Sequence, residues 1–479
     1  MRGPHHHLII GDGASAAALA ETLVLTSGDQ LTILGANAGQ FGKGMAYADH
    51  PSAAPWRYAY LLNSPSGAFG ESFVEWFEAN WGDIRSRIAA YQPRWLDFAA
   101  DHLDAGDFGA VFAPRAVFGD YLAEIGQGIL AMHAEAGVRV QQRTALATDL
   151  AKDEHGFRIT LATGEVIRAD RVDVATGGPS PQRFGADSGP TAFTTLYGNE
   201  QTIAEVLRPG QEVTCLGGNA AMLDVLRLMQ SVMDEQDIRL RVITRGSKPE
   251  QLIWARPRKE PVTPKLTGPY RDADALLAAV DAEIAAFRAK GASMAELRPG
   301  YLGWAAERGL ETLLPSLSER RKVMPQLERR FRRATHNSLA DYARLQAAGQ
   351  IVEEHGEITW VYAETEGKTR IRLKRAGTRT NEEITTSVVI NTSGPGDQLA
   401  MDLLTSGLIR NGWLRMNETK TGLIVGPGLE TEVEGLRYLS PAVTEIGAEV
   451  LAFPLEDVSA LAARAKAANQ IAIYERFQS

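Results

Sequence analysis

The chain opens with a short apolar run that leads through a glycine turn into a run of helix-forming residues. Residues 8–10 are apolar, residues 11–16 hold two glycines, and residues 17–24 are rich in alanine and leucine. A buried strand that passes through such a turn directly into a helix is typical of the start of a βαβ unit. A second apolar run, at residues 31–34, predicts the next strand of this unit.

A second unit of the same kind begins near the middle of the chain. Residues 213–216 predict a strand, residues 217–219 a turn, and residues 220–229 a helix. Residues 240–245 predict the strand that follows. Two strand–turn–helix units of this kind indicate two dinucleotide-binding domains.

The rest of the chain predicts a hairpin, a helical insertion and further strands. Residues 157–169 have the pattern of a β-hairpin, and residues 272–350 read as helices. Strands return up to residue 390, and an alanine-rich helix follows near the end. We therefore predict an α/β fold with two Rossmann-like domains and a helical insertion, the first domain being discontinuous. The predicted boundaries are 1–200 and 386–479 for the first domain and 201–385 for the second.

The composition excludes several classes of protein. Of the 479 residues, 44% are hydrophobic and 23% charged, which is typical of a globular protein, and the formal net charge is −9. An acidic chain lacks the surplus of Lys and Arg that general nucleic-acid binding requires, so we expect no nucleic-acid partner. The single cysteine, Cys215, excludes an intrachain disulfide and a multi-cysteine zinc site, and we predict no metal.

The first ten residues do not have the pattern of a targeting segment. The apolar run at residues 8–10 is too short for a signal peptide or an anchor, so we expect a cytoplasmic protein without a membrane partner. We interpret the preceding histidines, His5 to His7, as a flexible tip or a remnant of an affinity tag.

The first glycine turn has the residues that a pyrophosphate requires. Gly11 permits a tight turn, Gly13 lets the main chain approach the phosphates, and Ala16 is small enough for the helix to pack closely on the strand. The N-terminus of the helix adds the positive end of its dipole. The predicted pyrophosphate-binding residues are Gly11, Gly13, Ala14, Ser15 and Ala16. The alternative is a glycine turn that binds nothing.

An acidic residue that commonly binds the adenosine ribose is absent from the end of the second strand. Gly35 and Ala36 stand there, followed by Asn37, and the amide of Asn37 is our candidate for binding a ribose hydroxyl.

The second glycine turn departs further from the usual pattern. Gly217 and Gly218 are candidates for binding a nucleotide, but Asn219 stands where a glycine normally lets the phosphates approach. Arg245, at the end of the following strand, is placed to hold a 2′-phosphate, which favours NADPH over NADH. The alternative for Arg245 is a solvated loop arginine.

Several motifs together resemble a known family. The chain is similar to bacterial FAD/NAD(P)-binding flavoproteins related to flavin-dependent N-hydroxylating and class B monooxygenases. The motifs that carry the resemblance lie at residues 9–15, 41–47, 61–65, 112–122, 174–177 and 389–395.

The resemblance implies a flavin site. The turn at Gly11 would bind the pyrophosphate of FAD, and Thr176-Gly177 would mark the crossover between the two domains. The residues that would lie along the flavin are Gly42, Lys43, Gly44, Met45 and Asn63.

A protein of this kind would consume NAD(P)H and molecular oxygen and oxygenate a small amine-bearing metabolite through a peroxyflavin. Asn63 and Tyr47 are the candidate catalytic residues, because the amide of Asn63 can bind the flavin or a peroxide without titrating. The alternative for Asn63 is a structural role in its loop. Arg256 is the candidate for binding a substrate carboxylate through its planar guanidinium.

Two other functions remain open from the sequence. One is an FAD oxidase or dehydrogenase that its own substrate reduces, which the asparagine at position 219 favours. The other is a binding protein without catalytic activity that keeps the fold as a scaffold. The basic stretch at residues 320–333 either attracts a phosphate-bearing cofactor or acidic substrate or is a surface helix with interspersed acids.

Overall fold

Two parallel five-stranded sheets carry the two glycine turns. The computed structural model describes residues 4–51, 53–186, 189–245, 252–253, 260–331, 333–334, 336–363, 368–375, 378, 380–394, 401–453, 455 and 458–478. In each sheet the glycine turn follows the central strand, His6–Ile10 in the first and Glu212–Leu216 in the second. Both central strands are almost wholly buried, as strands of parallel sheets covered on both faces are expected to be.

The first sheet combines strands from both ends of the chain. Its strands, in spatial order, are Leu436–Tyr438, Arg171–Val174, His6–Ile10, Gln30–Gly35 and Arg139–Thr144, and all pairings are parallel. Because the edge strand Leu436–Tyr438 comes from the C-terminal part, the prediction of a discontinuous first domain is confirmed.

The second sheet extends beyond the boundaries predicted for the second domain. Its strands, in spatial order, are Ile351–His355, Arg239–Thr244, Glu212–Leu216, Val388–Asn391 and Ala192–Phe193. Ala192–Phe193 precedes the predicted start at 201, and Val388–Asn391 follows the predicted end at 385. We therefore propose that the second domain begins before residue 192 and that the chain returns to the first domain after residue 391.

The histidines near the N-terminus are part of the first sheet, so their interpretation as a flexible tip or tag remnant is wrong. The central strand begins at His6, and His7 is only 4% exposed. Nε2 of His7 lies 2.9 Å from a carboxylate oxygen of Asp173, and that carboxylate also accepts a bidentate pair of bonds from Arg437. Arg437 in turn donates to Asn469 of the last helix. This buried network joins three strands and a helix.

Smaller elements surround the two sheets. The predicted hairpin is confirmed, since Gly156–Leu161 pairs in antiparallel fashion with Val166–Ala169. The remaining strands are Ala147–Asp153, Gly185–Ala186, Leu252–Ile253, Arg333–Ala334, Glu357–Ala363, Thr369–Lys374, Asn381–Thr386, Arg415–Met416, Leu423–Val425, Val443–Ile446 and Glu449–Val450.

The helices lie on both faces of the sheets and in one separate group. The α-helices are Ala14–Glu21, Glu71–Ala79, Trp81–Ala89, Pro93–Asp104, Arg115–Glu135, Glu200–Val206, Ala220–Val232, Ala273–Ala289, Met294–Arg308, Leu310–Leu313, Leu317–Arg330, His336–Ala347, Leu403–Arg410 and Val458–Gln478. Short 3₁₀ turns occupy Ala38–Gln40, Ser66–Phe69, Phe108–Ala110 and Glu235–Asp237. Within the described part of the chain, no helix combines the length and the apolar character needed to cross a membrane.

The predicted helical insertion is present and has its own core. Its helices pack around side chains that include Leu276, Tyr301 and Phe331. The basic stretch forms much of helix Leu317–Arg330, where Arg321 makes a bidentate pair with Glu445 at 2.8 and 2.9 Å. Because Arg330 is likewise paired with Asp281, the structure favours a structural role for these arginines.

Candidate cofactor and substrate site

The conformation and packing of the first glycine turn leave no room for a side chain at Gly11. Gly11 has φ +131°, and a Cβ on it would lie 2.2 Å from the carbonyl oxygen of Ala175. Gly13 then begins helix Ala14–Glu21, and no side chain caps the N–H groups of its first turn. Uncapped N–H groups at a helix start are donors for an anion. The geometry therefore fits the pyrophosphate that the sequence predicts at residues 11–16.

The glycine at the end of the second strand is explained by Asp12. A Cβ on Gly35 would lie 2.4 Å from Oδ2 of Asp12, so the carboxylate of Asp12 occupies the space of a side chain at position 35. The same oxygen accepts a hydrogen bond of 2.5 Å from the backbone N–H of Asn37. A carboxylate is thus present at the end of this strand, although it comes from the glycine turn. Asp12 is not among the predicted site residues, because a ribose-binding carboxylate is expected at the end of the strand itself.

The loop at residues 41–47 packs closely against helix Arg115–Glu135, and the closest contacts are made at glycines of the loop and of the helix. A Cβ on Gly119 would lie 2.4 Å from the carbonyl oxygen of Tyr47, and one on Gly126 would lie 2.2 Å from that of Phe41. Conversely, a Cβ on Gly42 would lie 2.2 Å from the carbonyl oxygen of Leu122. Two of the motifs that carry the family resemblance therefore belong to one packing unit.

That unit brings the predicted flavin loop to the first glycine turn. The N–H of Gly42 donates to the carbonyl oxygen of Asp12 at 2.8 Å. A Cβ on Gly44, which has φ +55°, would lie 2.8 Å from Cα of Gly13. The structure therefore places two sets of predicted cofactor residues, at 11–16 and 42–44, beside each other.

The side chain of Lys43 is engaged within the protein. It is buried, and its Nζ lies 3.0 Å from Oδ1 of Asp120 and 3.9 Å from Asp49. Arg87 contacts the other oxygen of Asp120 at 2.8 Å. Lys43 thus anchors its loop to helix Arg115–Glu135, because Asp120 lies on that helix.

The Thr176-Gly177 turn is connected to the C-terminal part of the first domain. Oγ1 of Thr176 donates to a carboxylate oxygen of Asp402 at 2.9 Å. Asp402 caps helix Leu403–Arg410 by accepting from the N–H of Thr405, whose hydroxyl also donates to it at 2.6 Å. These contacts fix the turn at the carboxyl edge of the first sheet, the edge at which parallel α/β sheets bind ligands.

The second glycine turn differs from the first in its capping. Gly217 has φ +124° and packs against residues 392–393, and a Cβ on Gly218 would lie 2.7 Å from Cγ2 of Thr244. Asn219 caps helix Ala220–Val232, because its Oδ1 accepts a bond of 3.0 Å from the N–H of Ala221. One of the donors that a phosphate would use is therefore already occupied. Arg245 is exposed beyond strand Arg239–Thr244.

A pocket lies beside the flavin loop, between this loop and the segment that contains Tyr197 and Glu200. Met45 and Tyr47 line it from the loop, and Tyr197 and Glu200 line it from the chain segment beside the second sheet. Leu196, next to Tyr197, packs in the same core as strands of the second sheet and as Tyr60. The other residues that line the pocket are Ala46, Ala48, His50, Arg57, Tyr60, Arg115 and Ala116.

Arg115, which lines this pocket, belongs to a largely buried ion pair. The guanidinium of Arg115 lies 2.9 Å from Oδ2 of Asp224, and the same oxygen accepts from the hydroxyl of Tyr197 at 2.6 Å. Burial opposes the charge of Arg115, but Asp224 and Tyr197 outweigh burial and raise the pKa of Arg115 above its ordinary value. Arg115 also donates to the carbonyl oxygen of Leu61. The ion pair thus connects the two domains beside the pocket.

The remaining candidate residues are placed as follows. Tyr47 lines the pocket and packs edge-to-face on Phe118 with ring centroids 5.0 Å apart. Asn63 is half-buried and is not among the residues that line the pocket. Arg256 lies outside the described residues. Asp224, Tyr60 and Glu200 were missed by the sequence analysis, because no motif marks them.

Comparison with known proteins confirms the nature of the first domain. Residues 8–179 match the model of a family described as FAD-NAD(P)-binding. Uncharacterized proteins of Mycobacterium bovis and Mycobacterium tuberculosis are each 26% identical over 440 residues, which cover 83% of this chain and 77% of theirs. The prediction of an FAD-NAD(P)-binding domain, and the resemblance on which it rests, are therefore confirmed for this part of the chain.

Solved structures share the fold over nearly the whole chain. L-lysine 6-monooxygenase from Pseudomonas syringae has a TM-score of 0.56 at 14% identity and covers 98% of this chain and 99% of its own. Ornithine N-hydroxylase from Kutzneria sp. 744 has a TM-score of 0.55 at 13% identity and covers 99% and 100%. Ornithine hydroxylase from Pseudomonas aeruginosa has a TM-score of 0.53 at 15% identity and covers 99% and 100%. The chain therefore shares the fold of these proteins, and the predicted α/β fold with two dinucleotide-binding domains is confirmed.

Proposed function

We propose that this protein is an FAD-dependent, NADPH-consuming monooxygenase that oxygenates a small amine-bearing metabolite. The observation that carries the proposal is the contact between the uncapped glycine turn at residues 11–16 and the glycine loop at residues 42–44. Support comes from the FAD-NAD(P)-binding family match and from the shared fold with monooxygenases acting on lysine and ornithine.

The residues of the first domain would hold FAD mainly by their backbone. The N–H groups at the start of helix Ala14–Glu21 would bind the pyrophosphate, and Asp12 with Asn37 would bind the ribose hydroxyls. The loop at residues 42–45 would lie along the flavin through its main chain, because the ammonium of Lys43 is paired with Asp120. FAD, when bound, would supply hydride acceptance and the activation of oxygen.

The pocket would receive the substrate between the two domains. Met45 and Tyr47 belong to the loop proposed to lie along the flavin, so a molecule in the pocket would contact that loop. Tyr60 and Asp224 are buried there, and Tyr197 and Arg115 are partly buried. These residues would limit the access of water to a bound substrate and cofactor.

A second candidate function is a flavin oxidase or dehydrogenase that its own substrate reduces. The observation that favours it is the side chain of Asn219, which already caps the helix that would bind the phosphates of NADPH. In this alternative, the FAD site is unchanged and the second domain binds no nucleotide.

Flavin retention by two glycine variants tests the proposed site. Gly13→Val directs methyl groups towards Gly44, since a Cβ at position 13 already lies 3.4 Å from Cα of Gly44. We expect the purified variant to lose the yellow flavin absorbance of the wild type. Gly39→Ala is the control, because nothing lies within 4 Å of a Cβ there. Equal flavin content in both variants after incubation with FAD would contradict the assignment of the first turn.

A further inference from the structure

The pocket contains a buried carboxylate whose charge has no counterpart. Glu200 is only 6% exposed, and its Oε2 accepts one hydrogen bond, of 2.8 Å, from the N–H of Gly198. Among the residues that the structure describes, no cationic side chain lies within ion-pair distance of this carboxylate. Burial raises the pKa of Glu200 above its ordinary value and outweighs the backbone N–H groups of Gly198 and of Glu200 itself, which favour the charged form. Buried charged groups are normally paired with a group of opposite charge, and Glu200 has no such partner among the described side chains.

A second polar group in the same pocket is also unsatisfied. Tyr60 is 5% exposed, and its hydroxyl has no hydrogen-bond partner within the described part of the chain. Burial, together with the nearby charge of Glu200, raises the pKa of Tyr60 well above its ordinary value. A buried polar group of this kind is rare in proteins, and a ligand is one of its recognised explanations.

The other charges of the pocket cancel one another. Arg57 lies 3.1 Å from Asp49, and Arg115 lies 2.9 Å from Asp224. Burial lowers the pKa of His50, which favours its neutral form. Within the described part of the chain, Glu200 is therefore the acidic side chain of the pocket that has no cationic partner.

The aromatic side chains of the pocket complement a cation as well. The ring of Tyr60 packs against His50 with centroids 5.6 Å apart and against Tyr197 with centroids 6.4 Å apart. The faces of aromatic rings attract ammonium groups and also accommodate the methylene groups attached to them.

We infer that Glu200 and Tyr60 form a binding site for the charged ammonium group of a small organic ligand. The inference rests on the proposed function, of which it names the residues that select the substrate. A carboxylate partner stabilises the protonated form of an amine, and a protonated nitrogen has no lone pair for oxygenation. The nitrogen held by Glu200 is therefore the anchor, and the reacting nucleophile is a second group of the substrate.

Calorimetric titration with three simple probes tests this inference on the FAD-loaded full chain. The probes are pentylamine, pentanol and pentanoate, which share an alkyl chain and differ in charge. We expect pentylamine to bind at least about tenfold more tightly than the other two, because a charged hydrogen bond in a buried site contributes that much. Equal or tighter binding of pentanoate or pentanol to the wild type would overturn the inference without any variant.

Variants then assign the binding to the two residues. Glu200→Gln should weaken pentylamine binding at least about tenfold, and Tyr60→Phe should weaken it while leaving thermal stability equal or higher, because a buried unpaired hydroxyl is removed. Glu205→Gln is the matched control, since Glu205 is exposed on the same helix, Glu200–Val206. Unchanged pentylamine binding in Glu200→Gln and Tyr60→Phe would overturn the assignment.

The test of the ammonium site and the test of the proposed function can fail independently of each other. Flavin content and reduction by NADPH are measured on the same preparations, and neither depends on the ammonium site. Wild-type protein that holds FAD and is reduced by NADPH, but does not prefer pentylamine, contradicts only the ammonium site. Protein that prefers pentylamine but holds no FAD contradicts only the proposed redox function.

Discussion

Asp12 occupies the space that a side chain on Gly35 would need, because a Cβ at position 35 would lie 2.4 Å from Oδ2 of Asp12. A carboxylate is therefore present at the end of the second strand. It belongs to Asp12 of the glycine turn, and the glycine at position 35 leaves the space that this carboxylate occupies. In many dinucleotide-binding folds, an acidic side chain at this strand end binds the adenosine ribose. The carboxylate of Asp12 lies at this strand end as well, so we propose that it binds the adenosine ribose although it comes from the glycine turn.

Replacement of Asp12 by Asn tests its contact with the ribose. The amide oxygen of the variant can still accept from the N–H of Asn37, but the negative charge is lost. We expect Asp12→Asn to weaken FAD binding about tenfold, the magnitude of a charged hydrogen bond. The Kd is measured by titrating apoprotein with FAD. Glu21→Gln is the control, because Glu21 is exposed at the far end of the helix that follows Asp12. An unchanged Kd in Asp12→Asn would remove Asp12 from the cofactor site.

Two glycines of helix Arg115–Glu135 provide a matched test of the loop packing. A Cβ on Gly119 would lie 2.4 Å from the carbonyl oxygen of Tyr47, whereas nothing lies within 4 Å of a Cβ on Gly128. We expect Gly119→Ala to lower the free energy of unfolding by about 1–3 kcal/mol through overpacking. Gly128→Ala should raise it by about 0.5–1 kcal/mol, because alanine favours the helix.

Urea unfolding and flavin content of both glycine variants check this prediction. Loss of flavin is expected in Gly119→Ala alone, because displacement of residues 41–47 moves the proposed flavin loop. Equal stability and equal flavin content in the two variants would show that the contact between Tyr47 and helix Arg115–Glu135 supports neither folding nor flavin binding.

The buried carboxylate of Asp173 predicts a pH-dependent contribution to stability. Burial opposes its charge, but Arg437 and His7 outweigh burial and lower the pKa of Asp173 far below its ordinary value. At neutral pH, we expect Asp173→Asn to reduce the free energy of unfolding by about 3–5 kcal/mol, since Arg437 loses its partner. Asp170→Asn, at the exposed edge next to the same strand, should have little effect.

The sign of the pH dependence follows from the lowered pKa. Asp173 contributes its stability above the pKa of the unfolded chain, about 4, and the contribution decreases as the pH falls from there towards the folded-state pKa. The difference in unfolding free energy between wild type and Asp173→Asn should therefore narrow below about pH 4. Chemical denaturation at a series of pH values measures it, and a difference that grows on acidification would contradict the network.

Asn219 distinguishes the monooxygenase from the oxidase alternative. Asn219→Asp keeps an oxygen that can cap helix Ala220–Val232 but adds a negative charge where the phosphates of NADPH would lie. If NADPH binds there, its KM for flavin reduction should rise at least about tenfold, because juxtaposed like charges cost several kcal/mol. The FAD content should stay unchanged. The same KM in wild type and variant would place NADPH elsewhere.

Local patterns in the sequence were sufficient for the central strands of the two sheets and for the turns that follow them. The strand before Gly11 and the helix after it are specified by neighbouring residues, so their prediction required no knowledge of distant contacts. His7 shows the opposite case, because its burial depends on Asp173 and Arg437, which are far away in sequence. A histidine run alone carries no signal of such partners.

The pocket could not be predicted from spacing. Tyr60 and Glu200 line the pocket from separate segments of the chain, and Glu200 follows the short strand Ala192–Phe193 at the edge of the second sheet. A strand of two residues has too little pattern to be recognised from the sequence. Asp12 could have been predicted, because the sequence has a carboxylate inside the turn and a glycine at the end of the next strand.

Anaerobic titration of the purified, FAD-loaded protein with NADPH tests whether the protein is an NADPH-consuming flavoprotein. We expect that it retains FAD through purification and that its yellow absorbance bleaches on addition of NADPH and returns when oxygen is admitted. Protein that takes up no flavin after incubation with FAD would contradict the cofactor site, and bound flavin that NADPH and NADH both leave oxidised would contradict the proposed monooxygenase.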